Sequence, residues 1–255
     1  MTAVVNGLEL HFDVHGAGEP LLWLHGMLGV GDDWRFAFGE PPAGYRLIAP
    51  DMRGHGQTTG DADTCSFAQW ARDAFALLDR LHVDRVNIVG ISGGGICALH
   101  MATMQPDRVG AMVVVSAPAR FPEKACAMQR VFTEAILGDV ERRRIRDVHR
   151  RDGQVERLIG QIRRLPDGGD PAFDAAQLAR ITADTLIVWG DRDPLYPVAS
   201  ALELRDAIPR SWLWVVPNGK HCPVFGREAP RFADTALEFF GGRFRPGPAE
   251  TGPFG

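Results

Sequence analysis

The chain has 255 residues, 45% of them hydrophobic and 24% charged, with a formal net charge of −4. That is enough apolar material for one large core. The charge balance, with Arg dispersed along the chain and only Lys124 and Lys220 as lysines, argues against general binding to nucleic acid or to anionic lipid.

In the opening segment Leu8, Leu10, Phe12 and Val14 alternate with Glu9, His11, Asp13 and His15. Period two with one polar face predicts a half-exposed strand in an antiparallel hairpin at a sheet edge. Gly16-Ala17-Gly18-Glu19-Pro20 predicts the turn that ends it. Later runs differ in kind. Leu21–Leu24, Leu47–Ala49, Val86–Val89, Met112–Val115, Thr185–Trp189 and Leu213–Val216 are short and almost continuously apolar. Such runs fit strands buried on both faces, as in a parallel sheet flanked by helices. Residues 66–81 carry a helical stripe that includes Phe67, Trp70, Phe75 and Leu78, with Ser66 and Gln69 spaced as a capping box. Residues 93–105, 196–207 and 228–240 also read as helices. Strand–helix alternation of this kind predicts an α/β fold with a doubly wound, mostly parallel sheet.

Residues 118–182 break the rhythm. They lack a convincing strand, and between 119 and 181 there are 13 basic and 10 acidic residues. This stretch is expected to be a helical cap over the carboxyl edge of a core domain formed by 1–117 and 183–242. Pro166-Asp167-Gly168-Gly169-Asp170-Pro171 reads as a loop within it. A Gly- and Pro-rich tail starting near Gly241 and covering 243–255 is expected to be disordered.

Cys65, Cys97, Cys126 and Cys222 form no C-x-x-C pair and fit no zinc spacing, so neither a metal nor a cofactor is expected. The N-terminus has no basic start followed by an apolar run, and no stretch approaches the ~20 apolar residues of a membrane span. A cytoplasmic protein without a membrane partner is the expectation.

The strongest chemical signal is Gly90-Ile91-Ser92-Gly93-Gly94, a G-x-S-x-G pattern between an apolar run and a helical stretch. A serine on such a turn stands clear of the sheet at a helix N-terminus, where free N–H groups favour developing negative charge. Serine is a poor nucleophile alone and needs a base, and the base needs an orienting carboxylate. His149 and His221 follow Ser92 at a distance. His149 lies in Arg-rich sequence of the insertion, whereas His221 follows an apolar run and precedes a helix. Two carboxylates compete in Gly190-Asp191-Arg192-Asp193-Pro194, since either Asp191 or Asp193 could face the base.

H-G-x-x-G at His25–Gly29, Asp51-Met52-Arg53-Gly54-His55-Gly56, the Ser92 motif, G-D-x-D-P at Gly190–Pro194 and His221-x-Pro223 occur in one order. Across about residues 5–240 this order resembles the α/β-hydrolase superfamily, in its branch of small esterases, lactonases, cofactor-free haloperoxidases and carbon–carbon bond hydrolases. The resemblance implies an eight-stranded sheet with an antiparallel N-terminal hairpin and a small cap. It implies Ser92 as nucleophile, Asp193 as acid and His221 as base. The oxyanion donors would be the backbone N–H groups of Met27 and Gly93. His25, and the turn holding Asp51, Arg53 and His55, would be structural.

Two positions depart from that pattern. Gly93 stands where a larger residue is common, which would either widen the pocket beside the nucleophile or loosen the turn. Lys220 and Cys222 flank the base. An inward Lys220 would lower the His221 pKa by like-charge repulsion, while Cys222 reads as packing. Trp23, Trp34, Phe36, Phe121, Phe132 and Leu195 are candidate walls of a moderately apolar pocket for a small-molecule ester. The same triad also serves lactonases, carbon–carbon bond hydrolases and perhydrolases. A hydrolase-fold protein that binds ligand without catalysis is the alternative of another class.

Overall fold

The alternating N-terminal segment and the apolar runs after it pair into a single eight-stranded sheet. The structure is a computed structural model in which residues 1–60, 65–168 and 170–244 are described. The strands are β1 (Thr2–Val5), β2 (Leu8–Gly16), β3 (Glu19–Leu24), β4 (Tyr45–Pro50), β5 (Val86–Ile91), β6 (Val109–Val115), β7 (Asp184–Gly190) and β8 (Ser211–Val216). Their spatial order is β1-β2-β4-β3-β5-β6-β7-β8. The pairs β1/β2 and β2/β4 are antiparallel, and every other neighbouring pair is parallel.

The edge reads as its sequence requires. Asn6 and Gly7 both have positive φ, 44° and 77°, which makes the two-residue turn that a right-twisted hairpin prefers. Along β2, Leu8, Leu10 and Phe12 are buried and their polar neighbours are not. Glu19 and Pro20 belong to β3 rather than to the expected turn: β3 pairs with β4 from Glu19 onward, and the bend is confined to Gly16–Gly18. The inner strands β5 and β7 are buried at every residue, as their unbroken apolar runs demand.

The helices are α1 (Trp34–Phe38), α2 (Phe67–Arg80), α3 (Gly93–Met104), α4 (Glu123–Arg130), α5 (Asp139–Val148), α6 (Gln154–Arg164), α7 (Ala175–Leu178), α8 (Val198–Ala207) and α9 (Ala229–Phe240). The apolar stripes of α2, α3 and α8 pack on one face of the sheet, and α1 and α9 pack on the other. Ser66 accepts from the Gln69 N–H at 3.2 Å, but the Gln69 amide turns away to the Asp73 carboxylate, so only half of the capping box forms. Asp73 is fully buried. It also takes two bonds from Arg53, at 2.8 and 2.9 Å, and one from Asn6, which ties the hairpin turn and the Asp51–Gly56 turn to α2. A buried carboxylate persists only with such a set of donors.

The segment between β6 and β7 holds α4 to α7, with an isolated antiparallel bridge between Arg120 and Ala172 near its two ends. It is fixed to the rest of the chain by directed bonds. The Gln154 amide donates to the carbonyls of Gly54 and Gly56, both at 2.9 Å. Asp170 accepts from the Ala68 N–H at 3.0 Å and pairs with His100 on α3 at 2.6 Å. Within the expected loop 166–171 the chain first makes a 3₁₀ turn through Asp167, and Gly169 lies outside the described residues. Of the expected tail, 245–255 lies outside the described residues. Residues 241–244 form a turn, with Phe244 edge-on to Phe239 at 5.5 Å.

Candidate active site

Ser92 stands between β5 and α3 with φ 52° and ψ −113°, a conformation that only tight local geometry imposes on a non-glycine residue. The turn closes because its flanks lack side chains. A Cβ on Gly90 would stand 2.5 Å from the Gly94 carbonyl oxygen, and one on Gly94 would stand 2.1 Å from that of Leu24. The Ser92 N–H donates to the Val115 carbonyl at 2.8 Å, which pins the turn to the end of β6.

The loop after β8 brings His221 to this serine. Its Nε2 lies 3.0 Å from Ser92 Oγ, and its Nδ1 lies 2.8 Å from Asp193 Oδ2. With Nδ1–H donating to the carboxylate, Nε2 is left to accept from the serine hydroxyl. The other oxygen of Asp193 accepts from the N–H groups of Leu195 and Tyr196, at 2.8 and 3.1 Å, and the carboxylate is fully buried. Of the two competing aspartates, Asp193 is therefore the one that meets the ring. Asp191 faces solvent beside Arg192. It sits first after the strand, whereas Asp193 lies two residues on, where the loop bends over the sheet edge.

Lys220 is exposed and is not among the groups that move the His221 pKa, so the lowering expected of an inward Lys220 is corrected. Burial alone would lower that pKa, but the Cys222 sulfur and the Asp193 carboxylate outweigh it, and the net shift is upward. Cys222 does more than pack: it borders the cavity beside His221, and its N–H donates to Ser116 Oγ at 3.2 Å.

The loop after β3 passes directly over the serine, since a Cβ on Gly26 would lie 3.2 Å from Ser92 Cβ. Two buried histidines hold it. His25 donates from Nδ1 to the Gly26 carbonyl at 2.7 Å and accepts the Met52 N–H at 2.9 Å. His55 accepts the Leu28 N–H at 3.2 Å and donates to the Arg53 carbonyl at 3.1 Å. Both patterns need a neutral ring. Burial supplies that, pushing His25 down to about 4 and His55 well below its ordinary value. Asp51 adds a clamp, accepting from Gly31 and Gln57 N–H at 2.8 and 2.9 Å. The Met27 N–H has no acceptor among the described residues and belongs to a residue lining the cavity. Gly93, at the first turn of α3, lines the same cavity.

Gly93 does not widen the pocket as expected. A Cβ there would meet the Phe67 ring at 2.8 Å, so Phe67 occupies the space that a larger residue would fill. The cavity above Ser92 holds about 930 Å³. That is at the upper end of the ~300–1,000 Å³ usual for small-molecule sites. Phe36, Phe121, Phe132 and Leu195 line it. Trp23 borders it too, although the side chain is fully buried and packs edge-on to Phe38. Trp34 is a correction: it is buried in the core under β2 and β3, next to His15, and does not reach the cavity.

Two lining residues, Tyr196 and Arg144, had little signal in the sequence. Tyr196 packs edge-on to His221 at 5.3 Å and near-parallel to Phe121. Its one sequence clue is its place just after Asp193-Pro194-Leu195. Arg144, on α5, is one of three consecutive arginines, and only the fold shows which of them turns inward. Among the described residues no group of three or more His, Cys, Asp and Glu side chains is arranged to hold a metal ion. No helix among them is long and apolar enough to cross a membrane.

A family model of the alpha/beta hydrolase fold matches residues 19–133. The serine hydrolase BPHL of Mus musculus is 30% identical over 230 residues, covering 85% of this chain and 78% of the relative. A 2-hydroxymuconate semialdehyde hydrolase of Pseudomonas sp. (strain CF600) is 29% identical over 274 residues, covering 92% of each. Other relatives are longer, and the chain spans 59% of one and 35% of another. Among solved structures, a meta-cleavage product hydrolase of Pseudomonas fluorescens IP01 superimposes with a TM-score of 0.79 at 23% identity, over 95% of this chain and 98% of that one. At that identity the likeness speaks for the fold alone. With the sheet order, the strained serine turn and a relative at 30% identity in agreement, the chain belongs to the α/β-hydrolase family.

Proposed function

We propose that this protein hydrolyses carboxylic esters of medium-sized, largely apolar substrates through an acyl-enzyme on Ser92. The observation that carries this is the run of two short contacts, Ser92 Oγ to His221 Nε2 and His221 Nδ1 to Asp193 Oδ2, at a cavity walled mostly by apolar side chains.

The roles follow from the geometry. His221 takes the hydroxyl proton as Ser92 Oγ attacks the ester carbonyl, and Asp193 holds the imidazolium that forms. The negative charge moves to the carbonyl oxygen, where the N–H groups of Met27 and Gly93 receive it. As the tetrahedral intermediate collapses, the bond to the alcohol breaks and His221 hands its proton to the leaving oxygen. Water then attacks the acyl-enzyme with His221 again as base, which releases the acid and restores the serine.

A second reading, hydrolysis of a carbon–carbon bond, is favoured by the 29% identity to a 2-hydroxymuconate semialdehyde hydrolase over nearly the whole chain. It would use the same three side chains. Against it stands the character of the cavity, where the one guanidinium among the described lining residues is already paired.

The test compares the wild type with Ser92→Ala on p-nitrophenyl esters of rising chain length and on a vinylogous diketone panel. Ser92→Ala should lose at least about 10⁴-fold in kcat with an unchanged fold, and a fluorophosphonate probe should label the wild type alone. Ester turnover that survives the substitution would remove Ser92 from the reaction. Turnover confined to the diketones would install the second reading.

A further inference from the structure

We infer that Asp33 and Arg144 make the cavity selective for uncharged acyl groups, with Asp33 as the residue that turns away substrates carrying a second carboxylate. This rests on the ester reading above and adds the substrate class.

Arg144 is the only Arg or Lys bordering the cavity among the described residues. The excess of basic residues between 119 and 181 therefore does not translate into a cationic pocket. That guanidinium is already paired. Its Nη2 donates to the Asp33 carboxylate, its Nη1 lies 3.3 Å from Glu141 Oε1, and its plane lies over the Phe36 ring at 5.3 Å. Asp33 and Glu141 border the cavity as well. Asp33 is itself anchored: its side chain is 12% exposed, and Oδ2 accepts the Val30 N–H at 3.1 Å.

Two carboxylates therefore share one guanidinium, and this wall carries net negative charge. Met27, Leu28, Phe132, Leu137, Val140 and Ile145 border the same cavity and offer no ion partner. A substrate carboxylate arriving here would shed its water, find the Arg144 charge already shared by two carboxylates and face both of those like charges. A methyl-terminated chain of the same length meets no such cost. The arrangement differs from an acid-binding pocket by one proton-sized change: remove the charge of Asp33 and Arg144 becomes an anion site, because planar guanidinium donors bind a carboxylate in pairs.

Asp33→Asn makes that change while keeping an oxygen for the Val30 N–H. The readout is the ratio of kcat/KM for the p-nitrophenyl monoester of adipic acid to that for p-nitrophenyl heptanoate, at constant ionic strength. The wild type should favour the heptanoate at least about tenfold. Asp33→Asn should raise the acid-to-neutral ratio at least about tenfold, equal to ~1.4 kcal/mol. The double variant Asp33→Asn/Arg144→Gln should return it towards the wild-type value, since the gain depends on the freed guanidinium. Glu141→Gln, at a half-exposed position, gives a smaller rise in the same direction and serves if Asp33→Asn does not fold.

A wild type that turns over the two esters equally overturns the inference. So does an unchanged ratio in variants that still label at Ser92. No turnover of either ester and no label in folded wild type would instead overturn the ester reading beneath it, so the two failures are distinguishable.

Discussion

Removing the ring of His55 tests how the loop over Ser92 is held. His55 is completely buried, edge-on to Trp70 at 5.1 Å and 5.0 Å from the His25 ring, and it bonds both the Leu28 N–H and the Arg53 carbonyl. Leu28 sits at φ 64°, directly after Met27, whose N–H has no acceptor among the described residues. Leucine at position 55 keeps most of the volume and removes both bonds. One buried N–H and one carbonyl are then unpaired, at about 1–3 kcal/mol each, so a stability loss of about 2–6 kcal/mol is expected. The kinetic consequence is separate. Full loss of one oxyanion donor costs roughly 10²–10³ in kcat, and a loop that is displaced but present should cost about 10- to 100-fold, with KM within about twofold. His55→Gln can place an amide oxygen near Nε2, accept from Leu28 and recover most of kcat. The assay is steady-state hydrolysis of p-nitrophenyl hexanoate, with active sites counted by fluorophosphonate titration and stability followed by urea unfolding. If His55→Leu loses stability but keeps kcat within about twofold, His55 supports the fold and not the loop. A loss of kcat in His55→Gln as large as that in His55→Leu would likewise refute the role given to its bond with Leu28.

Two further outcomes follow from the site. Asp193→Asn should lower kcat by about 10⁴-fold while leaving the fold intact, because an amide favours the wrong tautomer of His221; Asp191→Asn should stay within about twofold. Equal effects at the two positions would contradict the assignment made from exposure and distance. Acid should also act through His25, whose pKa is pushed down to about 4 by burial. A depressed histidine pKa means that the unfolded chain binds the extra proton first. The stability contribution is therefore complete above the unfolded value near 6.5 and is lost as pH falls towards 4, reaching about 3 kcal/mol. Urea unfolding between pH 7.5 and 4.5 should show a slope that falls by about one proton in His25→Asn, while buried His55 and His149, whose pKa values are also lowered, supply the uptake that remains; an unchanged slope would place the proton uptake elsewhere.

The strand and helix pattern was legible in the sequence because burial on one face or two leaves different apolar periods. The β2 alternation and the unbroken apolar runs of β5 and β7 are examples. The Ser92 turn was legible for a related reason. A strained turn needs missing side chains at fixed neighbours, and Gly90 and Gly94 are local features. The error at Glu19-Pro20 arose from turn-forming residue types that a parallel neighbour, β4, recruits into a strand.

Other features depend on distance in space rather than along the chain. Asp191 and Asp193 are chemically alike, and only the bend after β7 turns one into the interior and the other to solvent. Gly93 suggested open space, yet Phe67, from a helix 26 positions earlier, fills it. Thirteen basic residues stand between 119 and 181, yet the one arginine that borders the cavity among the described residues is paired with Asp33, 111 positions away. The sequence alone thus determined the sheet, the serine turn and the types of its partners, because local spacing and burial write themselves into residue order. The tertiary structure alone decided what fills the pocket and what charge its wall presents. Those properties are sums over contacts between residues far apart in the chain, and no single stretch of sequence contains them.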